Sequence, residues 1–428
     1  MLYTSEHLQL TDDRLIDPLG TVQLQDLPDP QPQHPARLTN ATPLAERLWR
    51  IALDDIEKNI IETDTGLYFG AGREFGMTVY TRDIALSGVL GLDRLYPDVM
   101  KSSLLHTREV RSETGFKLSK GYSLPEIPIE WEEEDLTEKG YQKRYHTNNY
   151  LRRTDDVVWL WAAEDLASAS GKREDWKWVY EWGDRFFRDF YMPFFDETDG
   201  LFRGQACFVD IHFTEFKATG YPRDWSISDC IMGKALSTNC LFYQGMLAMS
   251  RAAGETNKPF EKVEWSAKAE NLRRSIIREF RRDDGSFAYY KDRSNRLLPM
   301  RHCLGEGLAV LHEVVRGEEA KRALVNYSVS PFGVPLFDPF FKEDDYYHNN
   351  SSWPFCDTFY IRASEKADGG DRTALNAALL ARVCRDESGF RELVDYRTGE
   401  PKGSAHQLWT AAAFVDVCLR SNLTISNI

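Results

Sequence analysis

Apolar residues recur at steps of three and four through most of the chain. The first clear stretch follows Thr42-Pro43, where Leu44, Leu48, Ala52, Ile56 and Ile60 share one face. Thr42 can satisfy a free helix N–H and Pro43 suits a first helical position, so a helix is predicted to start there. The same spacing predicts helices over 83–95, 154–169 and 175–191. Another starts near Ala235, with Leu236, Cys240, Tyr243 and Leu247 on one side, and another carries Trp265, Ala269, Leu272, Ile276 and Phe280. Further helices are expected near 303–315, 317–326, 354–364, 371–384 and 406–420. So many helices with few strand patterns predict an all-α fold. They pair at roughly 50–60 residues per pair, and six pairs would close into a toroid of inner and outer helices. Loops at one end of such a toroid form a deep pocket. Minor β-hairpins are expected at Asp199-Gly200 before Leu201-Phe202-Arg203, and at Asp284-Gly285 before Ser286 to Tyr290.

Two stretches break the pattern. Residues 1–40 read as an irregular leader, with four prolines between Leu27 and Pro35. The expected division is therefore this leader and a single barrel domain over 41–428. Inside the domain, about 116–149 reads as an insertion holding Pro125, Pro128 and the acidic run Glu130 to Asp135. A charge run is ordinarily a solvated face, but an insertion beside a pocket can also be a lid or subsite wall.

Composition narrows the partners. The 428 residues carry 53 Lys and Arg against 67 Asp and Glu, a formal charge of −14. Such a surface repels phosphate backbones, which argues against nucleic acid. No apolar run approaches the roughly 18 residues of a membrane helix. The first residues lack a basic region followed by an apolar core, so no secretory signal is read there. Seven dispersed cysteines with no CxxC fit reduced thiols and a cytoplasmic setting. No His/Cys/Asp/Glu spacing suggests a metal, and no cofactor is expected. Aromatics make up 13% of the chain. That surplus suits core filling, and also stacking on the flat faces of sugars.

Four segments combine carboxylates, aromatics and amides beyond what a helical ring needs. The first runs from Tyr80 through Thr81, Arg82 and Asp83 to Ser87. Its Asp83 can simply satisfy a helix start, or the Arg–Asp pair can hold hydroxyls. The second is Gly200 to Asp210, followed by Gly233 to Asn239. Asp210 follows Phe208-Val209, and a carboxyl group among apolar neighbours is suited to act as an acid near neutrality. The third is Tyr346 to Phe355, with His348, two Asn and Trp353. The fourth is Phe390 to Ser404, then His406, Gln407 and Trp409. Glu392 and Glu400 are its candidate carboxylates.

At these segments the chain resembles the six-hairpin, (α/α)6-barrel glycosidases. It is similar to the amylo-α-1,6-glucosidase part of glycogen debranching enzymes and to the mannosylglycerate hydrolase and processing α-glucosidase group. Thr81-Arg-Asp-Ile-Ala-Leu-Ser-Gly88 resembles a Gly-Arg-Asp…Met-Ile-Ala-Leu-Pro-Gly element, and Arg153-Thr-Asp155 to Trp159 resembles an Ala-Asp-Ala-Ser-Leu-Trp-Phe element. Phe208-Val-Asp210 falls where the family has Trp-Met-Asp, its acid-bearing segment. Gly233-Lys-Ala with Asn239 matches a Gly-Lys-Pro…Asn element, and Tyr347-His-Asn-Asn-Ser-Ser-Trp-Pro354 resembles its Tyr-His-Asn-Gly…Trp-Pro. Phe390-Arg-Glu392 through Gly403, with Trp409-Thr-Ala-Ala412, is similar to the F-x-E…TGE-P-x-G…WTAA signature of the mannosylglycerate hydrolase group. The family's N-terminal β-sandwich has no counterpart here, and the acid segment has Phe-Val in place of Trp-Met.

The resemblance implies an inverting, exo-acting glycoside hydrolase on a terminal, α-linked sugar of an oligosaccharide or small glycoside. It assigns Asp210 as general acid and Glu392 as general base, with a water between them. It implies a sugar pocket lined by Tyr80, Arg82, Asp83, Asp155, Asn239, His348, Trp353, Gln407 and Trp409, with no metal or cofactor. Two other readings stay open on the sequence. A sugar 2-epimerase on the same barrel would shuttle protons through His212, His348 or His406. A non-catalytic toroid would bind glycans without cleaving them. The sequence leaves the sugar, the linkage and the oligomeric state unspecified.

Overall fold

Six of the described helices are buried on nearly every side over most of their length, and that property sorts them from the rest. The helix Leu408–Arg420 buries every residue from Leu408 to Cys418. Cys303–Leu311 buries Cys303 to Val310, and Pro354–Asp368 buries Pro354 to Ile361. A helix without a polar face must be enclosed by other elements. By contrast, Arg173–Phe186 buries only the stripe of Asp175, Trp176, Val179, Tyr180, Gly183 and Phe186. Pro259–Phe280 buries Trp265, Ala269, Leu272, Ser275, Ile276 and Phe280. These one-sided helices belong on an outer layer.

The computed structural model describes residues 1–63, 66–76, 79–107, 154–188, 194–210, 220–225, 227–342 and 347–427. In it Thr81–Ser87, Thr154–Ser170, Leu236–Glu255, Cys303–Leu311, Pro354–Asp368 and Leu408–Arg420 each pack on the next, and the last returns to the first. Outside this closed ring lie Pro43–Lys58, the helix over 97–107, Arg173–Phe186, Pro259–Phe280, Glu318–Leu324 and Thr373–Ala381. Outer and inner helices alternate along the chain, which is the expected (α/α)6 toroid. Gly307 lets two inner helices approach closely: a Cβ there would sit 3.4 Å from the Tyr360 Cα.

Most predicted helices fall within a few residues of the observed ones. Thr42 caps as read, its hydroxyl accepting from the Ala45 N–H at 3.2 Å, and Pro43 opens the helix. That helix stops at Lys58, and Ile60 instead begins the strand Ile60–Thr63. The helix expected over 83–95 is interrupted. Thr81–Ser87 passes into a wide turn over Gly88–Leu92, with Gly91 at φ +108°. A Cβ on Gly91 would lie 2.6 Å from the Leu419 side chain, so the break lets the Leu408–Arg420 helix sit close.

The reading of 1–40 as irregular is corrected. Tyr3–Thr4, Gln9–Leu10, Arg14–Asp17 and Gly20–Gln23 form an antiparallel meander that buries Leu8, Leu10, Leu15 and Val22. Arg37–Thr39 pairs with Thr424–Ser426. Strands of two to four residues are too short for alternation to stand out in sequence. The hairpin at Gly200 is present, pairing Phe195–Asp196 with Leu201–Phe202. The hairpin expected at Asp284-Gly285 is reduced to a single bridge between Arg281 and Phe287, and the nearby strand Tyr290–Lys291 pairs instead with Lys234–Ala235. The proposed insertion at 116–149 lies outside the described residues. Among the described residues no helix is long and apolar enough to cross a membrane, and the seven cysteines are buried free thiols.

One buried ion pair supports the inner ring. Glu306, fully buried on Cys303–Leu311, takes two hydrogen bonds from Arg301 at 2.9 and 2.8 Å and a third from the Phe287 N–H. Arg301→Ala strands that carboxylate, so a loss of about 3–5 kcal/mol is expected. Chemical denaturation checks it; a stability equal to wild type contradicts the role assigned to the pair.

Candidate active site

The loops that enter the inner helices carry the four segments singled out in the sequence. The first to consider leads to Asp210. Its backbone is held at almost every step: the Gly204 carbonyl accepts from the Tyr290 hydroxyl at 2.8 Å, the Ala206 N–H donates to the Tyr221 hydroxyl at 3.0 Å, and the Cys207 N–H donates to the Ser237 hydroxyl at 3.0 Å. The Thr238 hydroxyl donates to the Gln205 carbonyl. The Val209 carbonyl accepts from Gln205 Nε2 and the Tyr221 hydroxyl, each at 3.2 Å. At the end of this anchored loop the Asp210 side chain is 23% exposed. Arg82 Nη2 lies 3.9 Å from one of its oxygens and His348 Nε2 lies 4.0 Å from the other.

Glu392 comes from a different element. It precedes the strand Leu393–Asp395, the middle of a three-stranded antiparallel sheet with Ser351–Ser352 on one side and Pro401–Lys402 on the other. The sheet joins the Tyr-His-Asn-Asn-Ser-Ser-Trp-Pro segment to the segment carrying Glu392. The Tyr347 hydroxyl donates to Glu392 Oε1 at 2.8 Å, and the Ser404 N–H donates to Oε2 at 2.9 Å. Burial pushes the Glu392 carboxyl up to about 7, the two hydrogen bonds oppose that, and the negative charges of Asp83 and Asp210 add to it. Asp83 and Asp210 thus share one electrostatic neighbourhood with Glu392. Gly403 turns the chain at φ +76°, and a Cβ there would overlap Glu392 Oε2. The glycine of the Thr-Gly-Glu-Pro-Lys-Gly stretch is therefore required by the carboxylate packed against it.

Glu400, the other candidate, sits on the outward hairpin. Its side chain is 59% exposed and faces Lys402 at 3.7 Å. Glu392 alone of the two is enclosed at the site.

The remaining residues divide. Arg82, Asp83 and His348 are buried around the two carboxylates. Tyr80 precedes the Thr81–Ser87 helix and stands edge-on to Phe75 at 5.7 Å. Trp353 is 1% exposed and is a rear wall, not a sugar platform. Its indole N–H bonds Ser351 and the Tyr347 carbonyl, and its ring stacks on His348 at 5.3 Å and 9°. Trp409 is also in this wall, stacked on Phe355 at 4.2 Å. Gln407 is fully buried, and its side-chain amide makes no hydrogen bond among the described residues. Asn239 is corrected. Its side chain spends its donors and acceptor on the Phe202 N–H, the Phe202 carbonyl and the Ala235 carbonyl, so it clamps a strand and does not face the pocket. The Asp155 side chain lies outside what is described, as does His212. His406 turns to Asp55, at 2.6 Å from Nδ1.

Two contributors escaped sequence reading. Tyr347 was visible only as part of an aromatic segment; its left-handed backbone, φ +81°, aims the hydroxyl at Glu392. Glu74 lies in a single 3-10 turn with no local pattern. Its carboxylate accepts from the Ser404 hydroxyl at 2.5 Å and the Ala405 N–H at 2.7 Å, steadying the backbone that holds Glu392. Although burial opposes it, these bonds hold the Glu74 carboxyl below its ordinary value.

Comparison with known proteins places this geometry. Residues 215–410, a little under half of the chain, match the family model of the mannosylglycerate hydrolase MGH1-like glycoside hydrolase domain. Among solved structures, the GH63 mannosylglycerate hydrolase of Thermus thermophilus, in complex with Tris and D-glycerate, superposes with a TM-score of 0.61 at 14% identity, covering 86% of this chain and 99% of that one. The GH78 family rhamnosidase of Bacillus sp. GL1 gives 0.57 at 13% identity, over 94% of this chain and 36% of that one. The neutral trehalase of Saccharomyces cerevisiae gives 0.56 at 12% identity, over 85% and 76%. No curated protein sequence matches the chain. The chain thus shares the (α/α)6 toroid of these glycosidases, and over residues 215–410 it matches a glycoside hydrolase domain.

Two substitutions test how the site is held. Tyr347→Phe removes one donor to Glu392, so the acid limb of the kcat/KM profile is expected to move up by on the order of one pH unit. An unmoved limb contradicts the bond's role. Gly403→Ala forces both a left-handed alanine and a clash with the carboxylate. It is expected to lower kcat by about 10² or more through displacement of the charge-bearing group, with steady-state kinetics as the check.

Proposed function

We propose that the protein is an inverting, exo-acting hydrolase of a terminal α-linked sugar on an oligosaccharide or small glycoside. Asp210 is the general acid and Glu392 the general base. The observation that carries this reading is the environment of Glu392: a buried carboxylate with both oxygens accepting hydrogen bonds, beside a second carboxylate on a separately anchored loop.

Tyr347 and Ser404 present donors, and donors on both oxygens match the ionised form that activates water. A carboxyl group titrating near 7 is also a stronger base than an ordinary glutamate. Asp210, more open, faces the side from which a leaving oxygen can take a proton. Its proton goes to that oxygen as the glycosidic bond breaks. Glu392 takes a proton from the water that attacks the opposite face of the sugar, which inverts the anomeric centre. Arg82, Asp83 and His348 hold hydroxyls of the sugar in the cleaved position, Gln407 lies beside them, and Trp353 and Trp409 form the wall behind. Exo-action is part of this reading, since a pocket closed at one end would admit only a chain terminus. No step calls on a metal or organic cofactor. The cytoplasmic setting stays part of this reading, on the strength of seven reduced thiols.

A panel of aryl α- and β-glycosides of glucose, mannose, galactose, rhamnose and glucuronate, with the first-formed anomer followed by NMR, tests the reaction. Inversion on an α-glycoside is expected; retention, or no turnover on any member, contradicts it. Because Glu392 must be ionised and its pKa is raised, kcat/KM is expected to fall as pH drops through about 7. Glu392→Gln should abolish turnover and keep binding of the product sugar, read by calorimetry. Full activity of that variant removes Glu392 from the mechanism.

A further inference from the structure

Among the described residues of the acid-bearing loop, Phe208 is the one non-glycine in the left-handed region, at φ +55°, a backbone conformation that a bulky side chain adopts only where its surroundings impose it. The chain is pinned on either side of it. The Cys207 N–H is bonded to Ser237, and the Val209 carbonyl is bonded to Gln205 and Tyr221. Between those two anchors the torsion at residue 208 sets the direction in which Asp210 leaves the loop. The Phe208 ring is held in a cage of other rings: Trp353 at 5.0 Å, Phe355 at 5.1 Å, His348 at 5.5 Å, Trp409 at 6.1 Å and His302 at 6.2 Å. The cage draws on three separate stretches of chain and includes His348, which also faces Asp210 at 4.0 Å. His302 is fully buried, lies nearly parallel to Phe208 at 25°, and stacks on Phe337 behind it. Neither of its ring nitrogens has a hydrogen-bond partner among the described residues, so it serves this cage as a flat ring.

We infer that Phe208 is a positioning residue for the acid, its ring acting as a peg that locks the left-handed turn and so aims the Asp210 carboxyl at the leaving oxygen. The inference rests on the reading of Asp210 as the acid. It assigns a purpose to a residue that is neither charged nor in contact with the reacting atoms. The peg makes proton delivery, rather than sugar binding, the step sensitive to this side chain.

The test uses two substrates with the same sugar and different leaving groups. A dinitrophenyl glycoside departs without protonation; an alkyl glycoside needs it. For Phe208→Leu, kcat on the alkyl glycoside should fall about 10–100-fold, with KM within about twofold and the dinitrophenyl rate within about threefold. Phe208→Tyr, which keeps the ring, should restore the alkyl rate. His302→Leu should show the same selective loss in weaker form, and His302→Phe should not. If Phe208→Leu does not accumulate as folded protein, the His302 pair decides. Asp210→Asn is measured alongside. If it loses the alkyl rate selectively and neither Phe208→Leu nor His302→Leu does, the peg is overturned alone. If Asp210→Asn slows both substrates equally, the acid reading fails and the peg with it. Equal losses on both substrates in Phe208→Leu reduce the ring to core packing and also overturn the inference.

Discussion

An apolar ring of helices leaves little water to satisfy the backbone of the loops that enter it. Each buried N–H and C=O in those loops needs a protein partner, or costs on the order of 1–3 kcal/mol. The chain meets this constraint with side chains from the first turns of the inner helices and from neighbouring strands. Ser237, Thr238 and Asn239 at the start of one inner helix hold the backbone of Cys207, Gln205 and Phe202. Tyr221, Tyr289 and Tyr290 hold Ala206, Gly220 and Gly204. The loop so held carries Asp210, which ties the solution of a backbone problem to the site.

The same logic explains the electrostatics. Lys234 is almost fully buried, but it reaches Asp196 at 2.7 Å and Asp199 at 2.5 Å, and Lys291 joins Asp199 at 2.9 Å. At the site, Asp83, Asp210 and Glu392 are gathered with Arg82 beside Asp210, so negative charge is concentrated in an enclosed place. That concentration, with burial, is what moves Glu392 away from ordinary glutamate behaviour.

Much of this was legible in sequence because helices announce themselves over long windows. Thr42-Pro43 marks a helix start, and the step pattern of Trp265 to Phe280 marks a helix. The inner helices are legible by the same spacing, though not as inner, because a residue string does not say which helix is enclosed. The leader was missed since its strands are two to four residues long. The break at Gly91 was missed since every neighbour is apolar, so the pattern does not change there. Of the site, Glu392 and Asp210 were reached through motifs. Asn239 belonged to a motif too, yet its role is to clamp backbone, and no spacing distinguishes a clamp from a ligand-facing amide. Glu74 was illegible because its partners, Ser404 and Ala405, are 330 residues and more away in the chain.

The three-stranded sheet that joins Ser351–Ser352 to the strand after Glu392 has an evolutionary corollary. The aromatic loop ending in Trp353 and the carboxylate segment share backbone hydrogen bonds and the Tyr347 hydroxyl, so neither shifts without dragging the other. A lineage remodelling that loop would disturb the setting of Glu392 at the same time. Diversification is thereby steered toward loops on other strands and helices, and the wall nearest Glu392 becomes the part slowest to change.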